Sequence, residues 1–264
     1  MDNRTLATIL NCCESAMLSA LRLLLLCLYS AFASLFGLFL CLLRPFDPEN
    51  TRRCARLFAL PSQRFLGIRV EADVDELHTR QQSCVIVANH QSNYDLFVLG
   101  GAVPSRTVSL GKKSLKWIPL FGQLYWLAGN VLIDRGNARR AKQAMLATTE
   151  ALRDRQVSIW VFPEGTRNAS AELLPFKKGA FQMAIAAGAP IIPVCVSRYA
   201  KALDLNRLES VMVKIRALPA IPTRGLTMDD LPALIERCQL RMSEVIDELS
   251  DEATACPASV PTSR

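Results

Sequence analysis

The chain has 264 residues, enough for one large domain or two small ones. Half of them are hydrophobic, 21% are charged, and 12 Gly and 14 Pro are ordinary numbers, which excludes a disordered chain and a collagen-like repeat. A net charge of +7 suits a membrane surface or a nucleic acid. No zinc-finger spacing and no RNP-like or KH-like glycine loop occurs, so nucleic acid is set aside.

A mean hydropathy of +0.19 is high for a soluble enzyme, and one segment accounts for it. Leu23 to Leu43 (LLLLCLYSAFASLFGLFLCLL) is without a single charge. As a helix at about 1.5 Å per residue it covers roughly 30 Å, a bilayer core. Ala31-Phe32-Ala33 resembles a signal-peptide cleavage site, but the apolar run continues well past it. A buried core helix is a further reading. The composition favours a membrane segment, either one spanning helix or a helical hairpin folded at Ser30 to Gly37. Arg44, Arg52, Arg53, Arg56, Arg64 and Arg69 follow, against Asp47 and Glu49. Such a flank stays on the cytoplasmic side and attracts anionic headgroups. Residues 1–50 thus read as a membrane-associated segment and linker, 51–250 as a globular domain, and 251–264 as a disordered tail.

Past the linker Pro45 to Asn50, a basic helical piece runs from about Thr51 to Leu60. Cys84 to Ala88 (CVIVA) is an apolar strand; Thr107 to Leu110 and Asn130 to Ile133 are weaker ones. Asn137 to Asp154 reads as an amphipathic helix with Asn137 as its N-cap. Val157 to Phe162 (VSIWVF) is the clearest strand. Lys178 to Ala187 is a helix closed by Gly188, and Pro190 to Ser197 and Met212 to Ala217 are strands. Thr227 opens a last helix to about Leu249, with Asp230 and Pro232 in its first turn. Strand–helix alternation with apolar strands predicts an α/β fold: a mostly parallel central sheet with helices on both faces. Nine cysteines without a C-x-x-C, beside two histidines, read as small buried hydrophobes in a reducing compartment, with no metal set.

Three polar clusters interrupt this pattern. Strand CVIVA runs into Asn89-His90-Gln91-Ser92-Asn93-Tyr94-Asp95. On a regular helix His90 and Asp95 would point about 140° apart. On a strand–turn–helix corner they meet, and Asp95 then fixes one imidazole nitrogen and leaves the other as a base. His78, in a polar run, reads as a solvated histidine. The second cluster, Phe162-Pro163-Glu164-Gly165-Thr166-Arg167-Asn168, follows the strongest strand; Arg167 offers a planar fork for phosphate, Thr166 a hydroxyl and Gly165 a tight backbone. Its plainer reading is a polar surface turn. The third, Gly111 to Gly122 (GKKSLKWIPLFG), packs cations against Trp117, Ile118, Leu120 and Phe121. It suits an anionic headgroup on an acyl chain, a membrane surface, or simply a basic amphipathic helix.

Taken together, the clusters resemble the motifs of the glycerolipid acyltransferase family: NHxxxxD at Asn89–Asp95, a Lys/Pro/Gly segment at Lys112–Gly122 continuing to Ile133-Asp134-Arg135, FPEGTR at Phe162–Arg167, and a short proline-bearing strand at Ala189–Val194. The likeness covers about Cys84 to Ser197, in family order, and its wording is nearest to bacterial members. It implies transfer of a fatty acyl group from an acyl-carrier protein or acyl-CoA thioester to the free 2-hydroxyl of lysophosphatidic acid, with no metal or prosthetic group. His90 is then the base and Asp95 its orienting partner. Arg167 clamps the phosphate in a pocket shaped by Glu164, Gly165 and Thr166. Backbone N–H groups or Lys112, counted among the substrate-binding residues, are the candidates for the oxyanion, and Arg135 is a second phosphate candidate or else an ion-pair partner of Asp134 or Glu164. The implied site of action is the cytoplasmic side of a bacterial inner membrane. Three rivals stay open: an acyltransferase for another acceptor (glycerol 3-phosphate, lyso-ornithine lipid or a lysophospholipid), a non-catalytic phospholipid-binding membrane protein, and a lipid hydrolase.

Overall fold

The computed structural model describes residues 3–80, 82–134, 136, 138–154 and 156–255. In chain order it has α1 (Asn3–Leu43), α2 (Glu49–Leu66), β1 (Ile68–Asp73), α3 (Asp75–Thr79), β2 (Val85–Ala88), α4 (Asp95–Leu99), β3 (Thr107–Lys112), α5 (Phe121–Leu127), β4 (Val131–Ile133), α6 (Ala138–Asp154), β5 (Ser158–Val161), α7 (Gly179–Ala187), β6 (Ile191–Val196), β7 (Val211–Ala217) and α8 (Leu231–Ala255). The strands form one seven-stranded sheet, ordered β1-β7-β6-β2-β5-β3-β4. β6, β2, β5, β3 and β4 are mutually parallel. β7 runs antiparallel to β6 and carries β1 with it. The five parallel strands therefore deliver their carboxyl ends to one edge, where such sheets place ligands.

β2 and β6 are apolar throughout, and β5 is apolar after the buried Ser158, because both faces are covered. Ile86 and Ala88 of β2 join Trp160 and Ile192 in a core beneath α1, α2 and α4. Val85 and Val87 join Ile159 and Ile191 in the opposite core, with Leu152 of α6, Phe181 of α7 and Met242 of α8. β1, missed in the sequence, is an edge strand in which only Ile68 is buried; its charged alternation carried no apolar run to read. The segment Lys113–Trp117 is a 3-10 helix without buried residues, not an amphipathic α-helix.

The last helix is preceded by the Thr227–Asp230 capping box, extends past Leu249 to Ala255, and so takes in the start of the expected tail. The rest of that tail, 256–264, and the proposed cap Asn137 lie outside the described residues.

Two expectations near the N-terminus change. α2 does not stop at Leu60 but continues through Pro61 to Gly67, which caps it in the left-handed conformation. Pro61 has no N–H for the Leu57 carbonyl four residues back; the Tyr29 hydroxyl of α1 donates to that carbonyl instead, at 2.7 Å. Nor does α1 fold into a hairpin at Ser30 to Gly37. Ser34 Oγ donates to the Ser30 carbonyl at 2.7 Å within a continuous helix. Gly37 serves close approach: a Cβ there would meet Leu124 of α5 at 3.1 Å. The reversal comes at 44–48, and α2 returns antiparallel along α1. On the opposite side of α1, Leu21, Leu24, Leu28, Phe32, Leu35 and Phe39 stand exposed as one helical stripe, which excludes the buried-core reading.

Candidate active site

β2 ends at Ala88, the chain turns through 89–94, and Asp95 is the first residue of α4. That corner brings His90 Nδ1 to 2.5 Å from Asp95 Oδ2. The carboxylate is 3% exposed, and every bond it makes is to a donor. Oδ2 also accepts the backbone N–H groups of Gln91 at 2.8 Å and Ser92 at 3.1 Å. Oδ1 accepts the Tyr199 hydroxyl. Burial, and then the Asp95 charge, raise the Tyr199 phenol well above its ordinary range, so it stays a neutral donor. The imidazole stacks on Phe162, ring centroids 4.1 Å apart and planes 17° from parallel. With Nδ1 engaged and the ring held from one side, Nε2 is the nitrogen left for chemistry.

The turn after β5 is built into the same corner. Asn168 N–H donates to the His90 carbonyl at 2.7 Å, and His90 N–H donates to Glu164 Oε1 at 3.1 Å. Glu164 Oε2 accepts from Asn168 Nδ2 at 2.9 Å and from the Leu174 amide at 3.0 Å. At 3% exposure, Glu164 clamps the two loops together and turns no free oxygen outward. Gly165 has φ 72 and closes onto the Phe162 carbonyl at 3.1 Å; a Cβ there would meet the Lys177 side chain at 2.7 Å. Thr166 and Arg167 are exposed. The Arg167 guanidinium donates to Asn93 Oδ1, inside the His90–Asp95 loop. Lys112 is an exposed residue at the carboxyl end of β3, on the same edge of the sheet. Arg135 lies outside the described residues.

Four residues of this arrangement were not singled out in the sequence. Asn89 exchanges two bonds with the Val196 backbone, at 2.9 and 3.0 Å. Gln91 donates to the Ser197 carbonyl at 2.9 Å and accepts from Tyr199 N–H at 3.1 Å. These amides fasten the histidine loop to the end of β6. Tyr199 and Asn168 complete it, each just beyond a predicted strand or motif, where a polar residue at a strand's carboxyl end is the available signal.

The acyltransferase family pattern matches residues 69–197. A 1-acyl-sn-glycerol-3-phosphate acyltransferase of Salmonella typhimurium is 41% identical over 236 residues, 89% of this chain and 96% of that protein. The chain belongs to the acyltransferase family. A protein of the same name from Escherichia coli is likewise 41% identical over 236 residues, with the same coverage of both chains. The human 1-acyl-sn-glycerol-3-phosphate acyltransferase alpha is 37% identical over 223 residues, 84% of this chain and 78% of its own. In fold, the acyltransferase resembles the crystal structure of the 1-acyl-sn-glycerophosphate acyltransferase PlsC from Thermotoga maritima, with a TM-score of 0.69 at 23% identity, over 90% of this chain and 98% of that one.

Proposed function

We propose that this acyltransferase moves a fatty acyl group from a thioester to the 2-hydroxyl of 1-acyl-sn-glycerol 3-phosphate, giving phosphatidate, with His90 as general base. The names of its relatives support the acceptor. One observation carries the mechanism: a buried carboxylate holds His90 Nδ1 at 2.5 Å, and the loop bearing both is bonded to Arg167. The acceptor oxygen bonds to the thioester carbonyl carbon while its proton passes to His90 Nε2. The tetrahedral intermediate collapses, the C–S bond breaks, and the departing sulfur takes that proton back. Asp95 steadies the transient imidazolium. The exposed Arg167 fork grips the acceptor's phosphate. No acyl-enzyme is needed, and burial raises the Cys84, Cys195 and Cys238 thiols, the last to about 12, leaving no thiolate to form one there.

Acceptor and product both reside in a bilayer, and α1 supplies the attachment. Its contacts with the rest of the protein extend from Arg22 to Cys41, roughly 30 Å of helix. A helix fastened along that length lies in the membrane surface with the domain rather than crossing alone. The cations of 44–56 meet anionic headgroups on the cytoplasmic side of an inner membrane.

The test is wild type beside His90→Ala, given lysophosphatidate and an acyl thioester, with products identified by mass. Wild type yields phosphatidate and the variant is at least about 100-fold slower. A variant at wild-type rate refutes the base. Donor consumption that ignores lysophosphatidate replaces transfer with hydrolysis.

A further inference from the structure

Two cavities open at the carboxyl ends of β3 and β4, and the mechanism above uses neither. One has a volume of about 600 Å³ and is bounded by Lys113, Lys116, Trp126, Asp134 and Arg140. The other, of about 400 Å³, shares Lys113, Lys116 and Asp134 with it and adds Trp117. They form one groove. Its charges do not cancel. Lys113 Nζ donates to Asp134 Oδ2 at 2.7 Å, and Arg140 reaches the same oxygen at 3.7 Å. Lys116 Nζ lies 4.4 Å from the centre of the Trp117 ring. Three cations thus line a groove that holds one carboxylate, two of them against it, and its bond from Lys113 lowers the Asp134 carboxyl from its ordinary range. The indoles of Trp117 and Trp126 are 76% and 53% exposed. A cationic groove with flat aromatic walls fits an anionic phosphate on a slender organic arm.

Position narrows the choice. Strands lie about 4.8 Å apart. In the order β2-β5-β3-β4, the end of β3 is therefore roughly 10 Å from the end of β2, and that of β4 roughly 14 Å. Arg167, which follows the intervening β5, takes the acceptor's headgroup. The groove lies beyond it on the same edge, where a second substrate enters without displacing the first. We propose that the groove binds the phosphate of the donor's phosphopantetheine arm, the unit that coenzyme A and an acyl-carrier protein share; this rests on the acyl-transfer reading of His90. Pantoate, β-alanine and cysteamine in series put thirteen bonds between phosphorus and sulfur, and at about 3.5 Å for every three bonds of an extended chain the arm spans about 15 Å. With its phosphate on Lys113, Lys116 and Arg140, its thioester reaches His90.

The experiment compares wild type with Lys116→Glu and Arg140→Glu, two surface changes. Coenzyme A binding, measured directly, weakens at least about tenfold in each, the loss of one charge-assisted contact. KM for acyl-CoA and for acyl-carrier protein rises to match, while KM for lysophosphatidate is unchanged. Acyl-pantetheine, which lacks the phosphate, reacts alike with all three proteins. Holo-carrier protein loses affinity for the variants and apo-carrier protein, which lacks the arm, does not. Unchanged coenzyme A binding overturns the assignment whatever the turnover. So does equal weakening with apo-carrier protein, which makes the groove a protein-docking surface, or a loss confined to anionic vesicles, which makes it a bilayer contact. A wild type that binds coenzyme A yet acylates no lysophosphatidate leaves the groove assigned and refutes the acyl-transfer reading.

Discussion

Asp95→Asn separates the charge of the carboxylate from its architecture. The side chain keeps its size, and the amide turns its oxygen to where Oδ2 accepts His90 Nδ1, Gln91 N–H and Ser92 N–H. Its nitrogen then donates to the Tyr199 hydroxyl, which rotates to accept. Architecture survives; the counter-charge to the imidazolium does not. Two unit charges about 4 Å apart interact by about 4 kcal/mol at an effective dielectric of 20, or roughly a thousandfold in rate. The His90 side chain is 23% exposed, and solvent trims that benefit. The expected fall in kcat is therefore about 10²–10³-fold, with KM for both substrates and the melting temperature near wild type. The assay follows thiol release from the acyl donor under saturating lysophosphatidate, with a parallel thermal melt. An Asp95→Asn enzyme within about threefold of wild-type kcat, folded and equally stable, would refute the reasoning. Asp95→Ala is the wrong comparison, because it strands buried donors at about 1–3 kcal/mol each.

Tyr199→Phe deprives the buried Asp95 Oδ1 of its donor. It lowers stability by about 1.5–3 kcal/mol and reduces kcat less than Asp95→Asn does; denaturant unfolding and thiol release check both, and an unchanged midpoint would contradict the assignment. Arg167→Lys keeps the charge but loses the planar fork, so KM for lysophosphatidate rises about tenfold while KM for the donor holds. A rise in the donor KM alone would put Arg167 at the wrong substrate. Arg22→Met tests the α1 attachment. The Arg22 guanidinium, on a residue 6% exposed, donates to the carbonyls of Leu205, Arg207 and Leu208 and to Ser210 Oγ. Its loss costs about 2–5 kcal/mol and opens 203–210 to proteolysis, whereas unchanged melting and cleavage would mean that α1 is not pinned there.

What could be read from the sequence follows from where each signal resides. β2, β5 and β6 were legible because strands covered on both faces are apolar at nearly every position. The His90–Asp95 meeting was legible because a polar run directly after such a strand has to turn. The route of α2 through Pro61 was not, since proline reads as a stop; what rescues it, the Tyr29 hydroxyl, comes from 28 positions away. Tyr199 eluded the reading for the same reason, being 104 positions from Asp95. Glu164 was legible as a member of its motif but not in its orientation: only the His90 and Leu174 amides reveal that its carboxylate points inward.

Arg22 ties the apolar helix to the globular domain. The apolar run was defined in the sequence as beginning at Leu23 because an arginine precedes it; that arginine is the fastening of the helix to the domain. At the other end, Phe46 N–H donates to the Leu127 carbonyl at 2.9 Å, and Thr51 Oγ1 donates to Ala128 O at 3.2 Å and Asn130 Oδ1 at 3.0 Å. Asn130 Oδ1 also accepts the Ser109 amide of β3 at 2.8 Å. The reversal between α1 and α2 is thus bonded to the strand that ends at the cationic groove. A helix tethered at one end lets a domain swing; one held at both ends fixes its height and tilt. With α1 in the bilayer surface, as proposed, the carboxyl edge carrying His90 and Arg167 would be held at one depth. On the proposed reading a lipid acceptor would then meet His90 without leaving its leaflet, and a soluble donor would meet the same edge from β3 and β4. On that reading the long apolar helix would help to position the substrates as well as to retain the enzyme.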